Sequence, residues 1–422
     1  MARPVQEGFG MVGIARIFSE GFRIFFLLAL LAAVLTLGLW EALLWADFFG
    51  SGAPELPVIP APIRWHAHEM IFGFAGAAMG GFFLTAVPNW TGAPAAQRGF
   101  IALAAGLWAL GRVAVWTSGF WPPVLVALAA LAFIPFLGAK IGAQLLKRPK
   151  PQNMMFLAIL AAMWGGELLV QADWLGLGWG DEGRGLRVAL MALCAMIAVI
   201  GGRVVPAFTR NAMIRAGREH DLPESGGRLD GAGIGATVGL AVLVLLPLPE
   251  VIPATLAILA GALTLARLAR WKSGWARPYP IIWTLHLSYA LLGLGYLAWG
   301  AAGFGLGAEI PALHLLGIGA VGGMVLSVLS RASLGHTGRP LVAPRPVALA
   351  YAMVPVAALI RWIAPQATGG EAFLTLLAGA LWIGAFALAL GAIGPVLLAP
   401  RAPRAPVGPP PGHAPGPGPR TE

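Results

Sequence analysis

Hydrophobic residues occur along this chain in long runs, without the short alternation that is typical of strands. Apolar runs of about 20 residues, enough for a helix to cross a bilayer core of about 30 Å, recur along nearly its whole length. Pro, Gly, Trp and charged residues bound each run and mark its ends. The pattern predicts twelve membrane-spanning helices, over residues 24–46, 66–88, 98–118, 122–144, 152–172, 186–206, 232–248, 250–268, 280–300, 311–331, 345–363 and 373–399.

Composition supports this prediction. Of 422 residues, 58% are hydrophobic and only 11% are charged, whereas about a quarter of the residues of a soluble domain are charged. We therefore predict an all-α integral membrane protein in which residues 1–399 form a single polytopic transmembrane domain. Residues 400–422 are nearly all Pro, Ala, Gly and Arg, so they are predicted to be a disordered tail.

The basic residues indicate how the helices are oriented. When the predicted spans alternate, 23 of the 28 Lys and Arg fall on the same side of the membrane as the N-terminus. The positive-inside rule then places both termini in the cytoplasm. The net charge of +10 is thus explained as an insertion signal with anionic lipid headgroups as its partner, and nucleic acid binding is not expected.

Cysteine usage restricts the metal sites that the chain can form. Cys194 is its single cysteine, which excludes an intramolecular disulfide, a CxxC metal site and covalent haem attachment through CxxCH. Any metal would be held mainly by His, Met or carboxylate side chains, and any haem would be a b-type haem without thioether bonds.

Ionisable side chains within the spans are candidate functional residues, because they are costly in a bilayer and normally face protein. Seven of them, from five spans, are predicted to share the outer half of the membrane: Glu41, His66, His68, Glu69, Arg112, Glu167 and His314. On a helix His66 and His68 are about 200° apart, so they serve two faces unless the first turn is unwound. We predict metal ligands among His66, His68 and His314, with Glu69 and Glu167 as catalytic proton carriers on a route that includes Glu41.

A second site is conceivable nearer the cytoplasm. His286 and Met324 are predicted at similar depth, although His286 could instead be hydrogen-bonded within the bundle. Arg203 and Arg331 could pair with haem propionates or extend to lipid headgroups. His336 is predicted to lie in a glycine-flanked loop, where it could be a ligand, a proton donor or a turn residue.

Four short motifs are distributed along the chain. They are Trp65-His-Ala-His-Glu-Met70, Thr85-Ala-Val-Pro-Asn-Trp-Thr-Gly92, Gly202-Arg-Val-Val-Pro206 and Arg331-Ala-Ser-Leu-Gly-His-Thr-Gly-Arg-Pro340. Because these motifs occur in this order on a frame of twelve predicted spans, the chain resembles the NnrS family.

The resemblance implies a bacterial inner-membrane protein that contains haem and copper and is associated with nitric oxide metabolism, in nitrosative stress or denitrification. It also implies functional positions at His66, His68, His286, His314 and His336, with the charged residues Glu69, Arg203 and Arg331. Which histidine holds which metal stays open.

Three hypotheses follow. The first is a haem and copper protein that binds nitric oxide or reduces it, with electrons from quinol or a partner protein because no soluble redox domain is present. The second is a transporter, since twelve spans with both termini inside are also common among carriers, although the two halves show no convincing repeat. The third is a haem-based sensor or assembly factor. Whether the protein is an enzyme is left open by the residues.

Overall fold

Long helices make up nearly all of the part of the chain that the computed structural model describes, namely residues 16–50, 52 and 57–403. The described part contains no strand. In chain order the long helices are α1 (Gly21–Phe48), α2 (Pro62–Thr91), α3 (Arg98–Trp116), α4 (Pro123–Leu145), α5 (Pro151–Trp174), α6 (Glu182–Arg215), α7 (Gly227–Leu243), α8 (Val251–Ala269), α9 (Pro280–Ala302), α10 (Glu309–His336), α11 (Arg345–Ile363) and α12 (Glu371–Leu398).

This architecture confirms an all-helical, multi-pass membrane protein. Eleven of the described helices are long and apolar enough to cross a membrane, and α7, with 17 residues, is slightly shorter. The predicted span over 232–248 was wrong in its limits, since α7 begins at Gly227 and ends at Leu243. Pro247 and Pro249, which follow, cannot continue a helical hydrogen-bond ladder. Residues 404–422 of the predicted tail lie outside the described residues.

Contacts between helix ends define two ends of the bundle. Arg23, in the first turn of α1, donates to the carbonyl oxygens of Leu397 and Ala399 at the end of α12, at 2.7 and 2.8 Å. We call this end A. It corresponds to the side of the membrane that is predicted to be cytoplasmic. Arg64 near the start of α2 pairs with Glu182 at the start of α6, at 3.2 Å. We call this opposite end, where α1 finishes, end B.

Helix α6 lies at the centre of the bundle. In its most apolar 18-residue window 89% of the residues are buried, whereas the value for α3 is 33%. A helix that is apolar on all sides needs protein around its whole circumference, and between Val188 and Ile200 every residue of α6 is buried. The other helices are therefore arranged around α6, whereas only about a third of the residues in the apolar stretch of α3 are buried.

Two helices contain π-helical segments, which the sequence pattern did not predict. One covers Glu69–Ala75 in α2 and the other Leu315–Gly322 in α10. Each begins directly after a candidate ligand, His68 or His314. Segments of this kind are frequent at functional sites, because the wider turn redirects the neighbouring side chains.

The predicted position of His336 in a loop was wrong, because α10 continues to His336. The last turns of α10 carry hydroxyl groups that bond back to the carbonyl four residues earlier, as Ser333 does to Leu329 and Thr337 does to Ser333. The helix ends at His336, and the chain turns away two residues later at Gly338, whose φ of +75° suits a residue without a side chain.

Candidate functional site

All seven ionisable residues predicted in the outer half lie in the half of the bundle at end B, where they form separate groups. The first group is centred on His68, which is fully buried. Its Nδ1 lies 3.0 Å from Oε1 of Glu69 and its Nε2 lies 2.9 Å from Oε1 of Glu167 on α5. Both carboxylates are also buried, at 1% exposure each. We call this group, with Arg112, the His68 network.

Two side chains of α3 and one of α5 hold the carboxylates in place. Arg112 donates from Nη1 to Oε1 of Glu69, and Trp116 donates from Nε1 to Oε2 of Glu69 at 2.7 Å. Gln171 donates to Oε1 of Glu167 at 3.1 Å. Both carboxylate oxygens of Glu69 thus have hydrogen-bond partners. Oε2 of Glu167, in contrast, is buried without a hydrogen-bond partner in the described part of the chain.

The geometry of His68 requires a proton in each of its two contacts with carboxyl groups. Ionised carboxylates only accept hydrogen bonds, so each of the two contacts must contain a proton, either on the ring or on the carboxyl group. If His68 is an imidazolium, its charge and that of Arg112 balance those of Glu69 and Glu167. A buried network that is balanced in this way can hold protons, and the role of Glu69 and Glu167 as proton carriers stays a prediction.

Glu41 does not join this network. Its buried carboxylate lies against Gly379 of α12, where a β-carbon would overlap it. Its Oε2 has no hydrogen-bond partner among the described residues. A side chain at position 379 would force the Glu41 carboxylate to move, because the carboxylate occupies that space.

The second group contains His66 and His314. As expected for residues two apart on a helix, His66 serves a different face from His68: it stacks on Trp40 of α1, with ring centroids 5.0 Å apart. Its Nδ1 is buried and has no partner in the described part. His314, on α10, lies close enough to His66 for the two rings to interact electrostatically. We call these two residues the histidine pair.

His314 has the hydrogen bonding of a metal ligand. Its Nδ1 lies 2.8 Å from the carbonyl oxygen of Ile310, which can only accept, so Nδ1 carries the proton. That bond fixes the tautomer and leaves Nε2 with a free lone pair, the arrangement that orients ligating histidines in many metal sites.

Arg361 is a member of this group that the sequence did not single out. It lies near the end of α11, against which the first turns of α10 pack. Its charge acts on both His66 and His314, and its Nη1 is buried without a partner among the described residues. The sequence pattern connects Arg361 only with the orientation of the chain, because it is two residues from the end of the span predicted over 345–363.

Within the residues that the structure describes, no three His, Cys, Asp or Glu side chains are placed around one metal-sized position. His68 has both nitrogens engaged and lies in the other group. The three histidines predicted as outer ligands therefore divide into one network member and one pair.

His286 is hydrogen-bonded within the bundle, the alternative considered for it above. Its Nε2 lies 2.8 Å from Oγ1 of Thr209 and its Nδ1 lies 2.9 Å from Oγ of Ser273. Met324 lies elsewhere: its Cε approaches Gly201, eight residues from Thr209 on α6 and thus about 12 Å along that helix. The side chains of His286 and Met324 are not brought together.

The residues predicted near the cytoplasm are dispersed at end A. Arg203 donates to Oδ1 of Asn153, at 3.1 Å, and to the carbonyl of Gln152. The guanidinium of Arg331 lies 3.9 Å from the centre of the Phe208 ring. His336 packs on Phe22, with ring centroids 5.3 Å apart.

A buried ion pair at end A was missed by the sequence analysis. Arg267 of α8, 1% exposed, donates from Nε to Oδ1 of Asp230 of α7 at 2.6 Å, and also to Tyr289 and the carbonyl of Ala198. The guanidinium lies against Gly202, where a β-carbon would overlap it. Gly202, in the third motif, is the signal that could have revealed this contact.

Comparison with known proteins gives a single finding. The family model described as NnrS protein matches residues 16–401, which include all four motifs and every residue of both groups at end B. A search of curated proteins finds no match to the chain. Because the match covers nearly the whole chain, this protein belongs to the NnrS family.

Proposed function

We propose that this protein binds haem and copper in the bacterial inner membrane and uses them to bind nitric oxide in nitrosative-stress defence or denitrification. The observation that carries the proposal is the histidine pair, because His314 has a fixed tautomer with a free Nε2 and His66 has an unpartnered buried Nδ1. Unpaired imidazole nitrogens are costly inside a membrane unless they serve a ligand. Membership of the NnrS family is consistent with a role in the nitric oxide response.

A histidine can bind a metal only through a ring nitrogen that is not already hydrogen-bonded, and the predicted ligands differ in this respect. His66 and His314 fit as donors, and the nearby Arg361 fits an anionic substituent of the cofactor. The nitrogens of His68 and His286 are engaged with carboxylates or hydroxyls, so ligand roles for them stay predictions. A bound metal would supply the coordination position for nitric oxide and any redox chemistry.

The His68 network would supply protons if nitric oxide is reduced. It shares α2 with His66, and it holds protons between the His68 nitrogens and the carboxylates of Glu69 and Glu167. The electrons would come from quinol or a partner protein. Burial of the network keeps bulk water out of the proton path.

A haem bound at the histidine pair would be held by residues of end B alone. Arg331 lies 17 residues after His314 on α10, about 25 Å along the helix at 1.5 Å per residue. A haem is on the order of 10 Å across, so it would not span that distance. The predicted cofactor contacts of Arg203, Arg331, His336 and Met324 would need a second, inner site.

His314→Ala is expected to lower bound haem or copper by about tenfold or more, because it removes a donor atom, whereas even outer-shell changes cost about tenfold. His66→Ala is expected to act in the same way. The measurement is a visible spectrum of the detergent-purified protein, oxidised, reduced and reduced with nitric oxide, with iron and copper counted on the same sample. His286→Ala is the matched control and should keep the metal content.

A loss of metal in His286→Ala but not in His314→Ala would move the cofactor to the inner site. A wild-type protein that stays colourless and metal-free after haem supplementation would contradict the proposal. That result would favour a transporter.

A further inference from the structure

Arg331 at end A is a buried cation without an acidic partner. The residue is 7% exposed, and among the described residues it has no hydrogen bond or ion pair. Its contact is with the face of Phe208 on α6, at 3.9 Å. Stacking on a ring face leaves the five N–H donors in the guanidinium plane unused.

The surroundings of Arg331 add positive charge. Arg215, the last residue of α6, acts on Arg331 electrostatically, and like charges at this range repel. Tyr351 of α11 also acts on Arg331, and its hydroxyl is hydrogen-bonded to Ser330. Stacking on the Phe208 face leaves the in-plane N–H groups of this largely buried guanidinium available to an anion.

The depth of Arg331 suits an anionic group at the membrane surface. It lies five residues before the end of α10, about 7 Å inside that end of the bundle. Arg331 lies about 25 Å along α10 from His314, so it is remote from the cofactor proposed at end B. This inference therefore does not depend on the proposed function.

We propose that Arg331, Phe208 and Arg215 form a binding site for a phosphate group. Phosphate oxygens match the planar guanidinium donors in pairs, and two arginines balance a charge of one to two units. Phe208 holds the guanidinium in its orientation. The phosphate can come from the headgroup of an anionic phospholipid or from free phosphate, and the two sources are separable by experiment.

The test compares wild type, Arg331→Gln and Arg210→Gln as full-length proteins in detergent. Arg210 is the control because it carries the same charge near the same end of α6 as Arg215 and, unlike Arg331, is exposed. Each protein is incubated with phosphatidylglycerol or phosphatidylcholine, and retained lipid is counted by native mass spectrometry. Binding of inorganic phosphate is measured separately by equilibrium dialysis, and haem content is recorded for each protein.

Wild type and Arg210→Gln are expected to retain one anionic ligand, and Arg331→Gln is expected to bind it at least about tenfold more weakly, as for loss of a hydrogen bond to a charged group. Retention of phosphatidylglycerol alone would identify a lipid, and binding of inorganic phosphate would identify a free anion. Either result supports the site.

Equal binding by Arg331→Gln and wild type, or an equal loss in Arg210→Gln, would overturn the proposal. Loss of haem without loss of phosphate binding in Arg331→Gln would also overturn it. If Arg331→Gln does not fold, Arg215→Gln provides the test, because Arg215 is exposed at a helix end. It should weaken binding by about threefold, as for a partly screened charge, and unchanged binding would count against the site.

Discussion

Asp230→Ala is expected to lower the free energy of unfolding by about 3–5 kcal/mol, because it leaves the guanidinium of Arg267 buried without its counter-charge. Arg267 is 1% exposed, and Asp230 is the acidic group that faces it. The remaining acceptors of Arg267, Tyr289 and the carbonyl of Ala198, are uncharged. They cannot replace a carboxylate in an apolar environment.

The packing around Arg267 prevents its side chain from rotating towards solvent. Its side chain lies between Gly202 of α6 and Gly233 of α7, where β-carbons would overlap or crowd it. The ring centroids of Trp271 and Tyr289 lie 5.8 and 5.7 Å from the guanidinium carbon. Because the helices enclose the charge on several sides, rotation to solvent is not available as a relief.

The measurement for this prediction is denaturant unfolding of the protein in detergent. Glu224→Ala is the matched control, since it removes an acid from the exposed pair with Arg270 at the same end, where the loss should be about 1 kcal/mol or less. The double variant Asp230→Leu with Arg267→Met should recover most of the stability, because both charges are then absent. An Asp230→Ala protein as stable as Glu224→Ala would show that the buried pair contributes little.

His68→Ala is expected to destabilise the protein by about 3–5 kcal/mol while leaving the metal content of the histidine pair largely intact. The substitution leaves two buried carboxylates without the donor between them, and Glu167 keeps only Gln171 as a partner. His66 lies on another face of α2, against Trp40, so its position does not depend on the His68 ring.

Thermal unfolding and metal counting on the same samples test this prediction. His68→Gln should be intermediate in stability, because an amide donates from its NH2 end only, whereas the two carboxylates contact different ring nitrogens of His68. His336→Ala is the control histidine, since its ring contact is with Phe22, and its loss should cost little stability. If His68→Ala were as stable as wild type but free of metal, His68 would be a ligand and the network would not be its role.

Much of the site could be anticipated from residue chemistry alone. The cost of ionisable groups in a bilayer identified His66, His68, Glu69, Glu167 and His314 as functional candidates, and helix periodicity placed the first two on different faces. The depth of each group followed from counting residues along a span. The partners of each group did not follow, because neighbouring helices can rotate about their axes without changing any depth.

The sequence by itself determined the membrane-embedded helical fold, the approximate limits of most spans and the family, since these depend on hydrophobicity over long runs and on ordered motifs. Only the tertiary structure decided that His68 joins Glu69 and Glu167, that His66 and His314 lie within electrostatic range of each other and that Arg267 pairs with Asp230. These contacts join helices far apart in the chain, so they depend on helix rotation and on close approach at glycines such as Gly202. When a helix is apolar on all sides, its sequence pattern does not indicate how the helix is rotated or which neighbour it approaches closely.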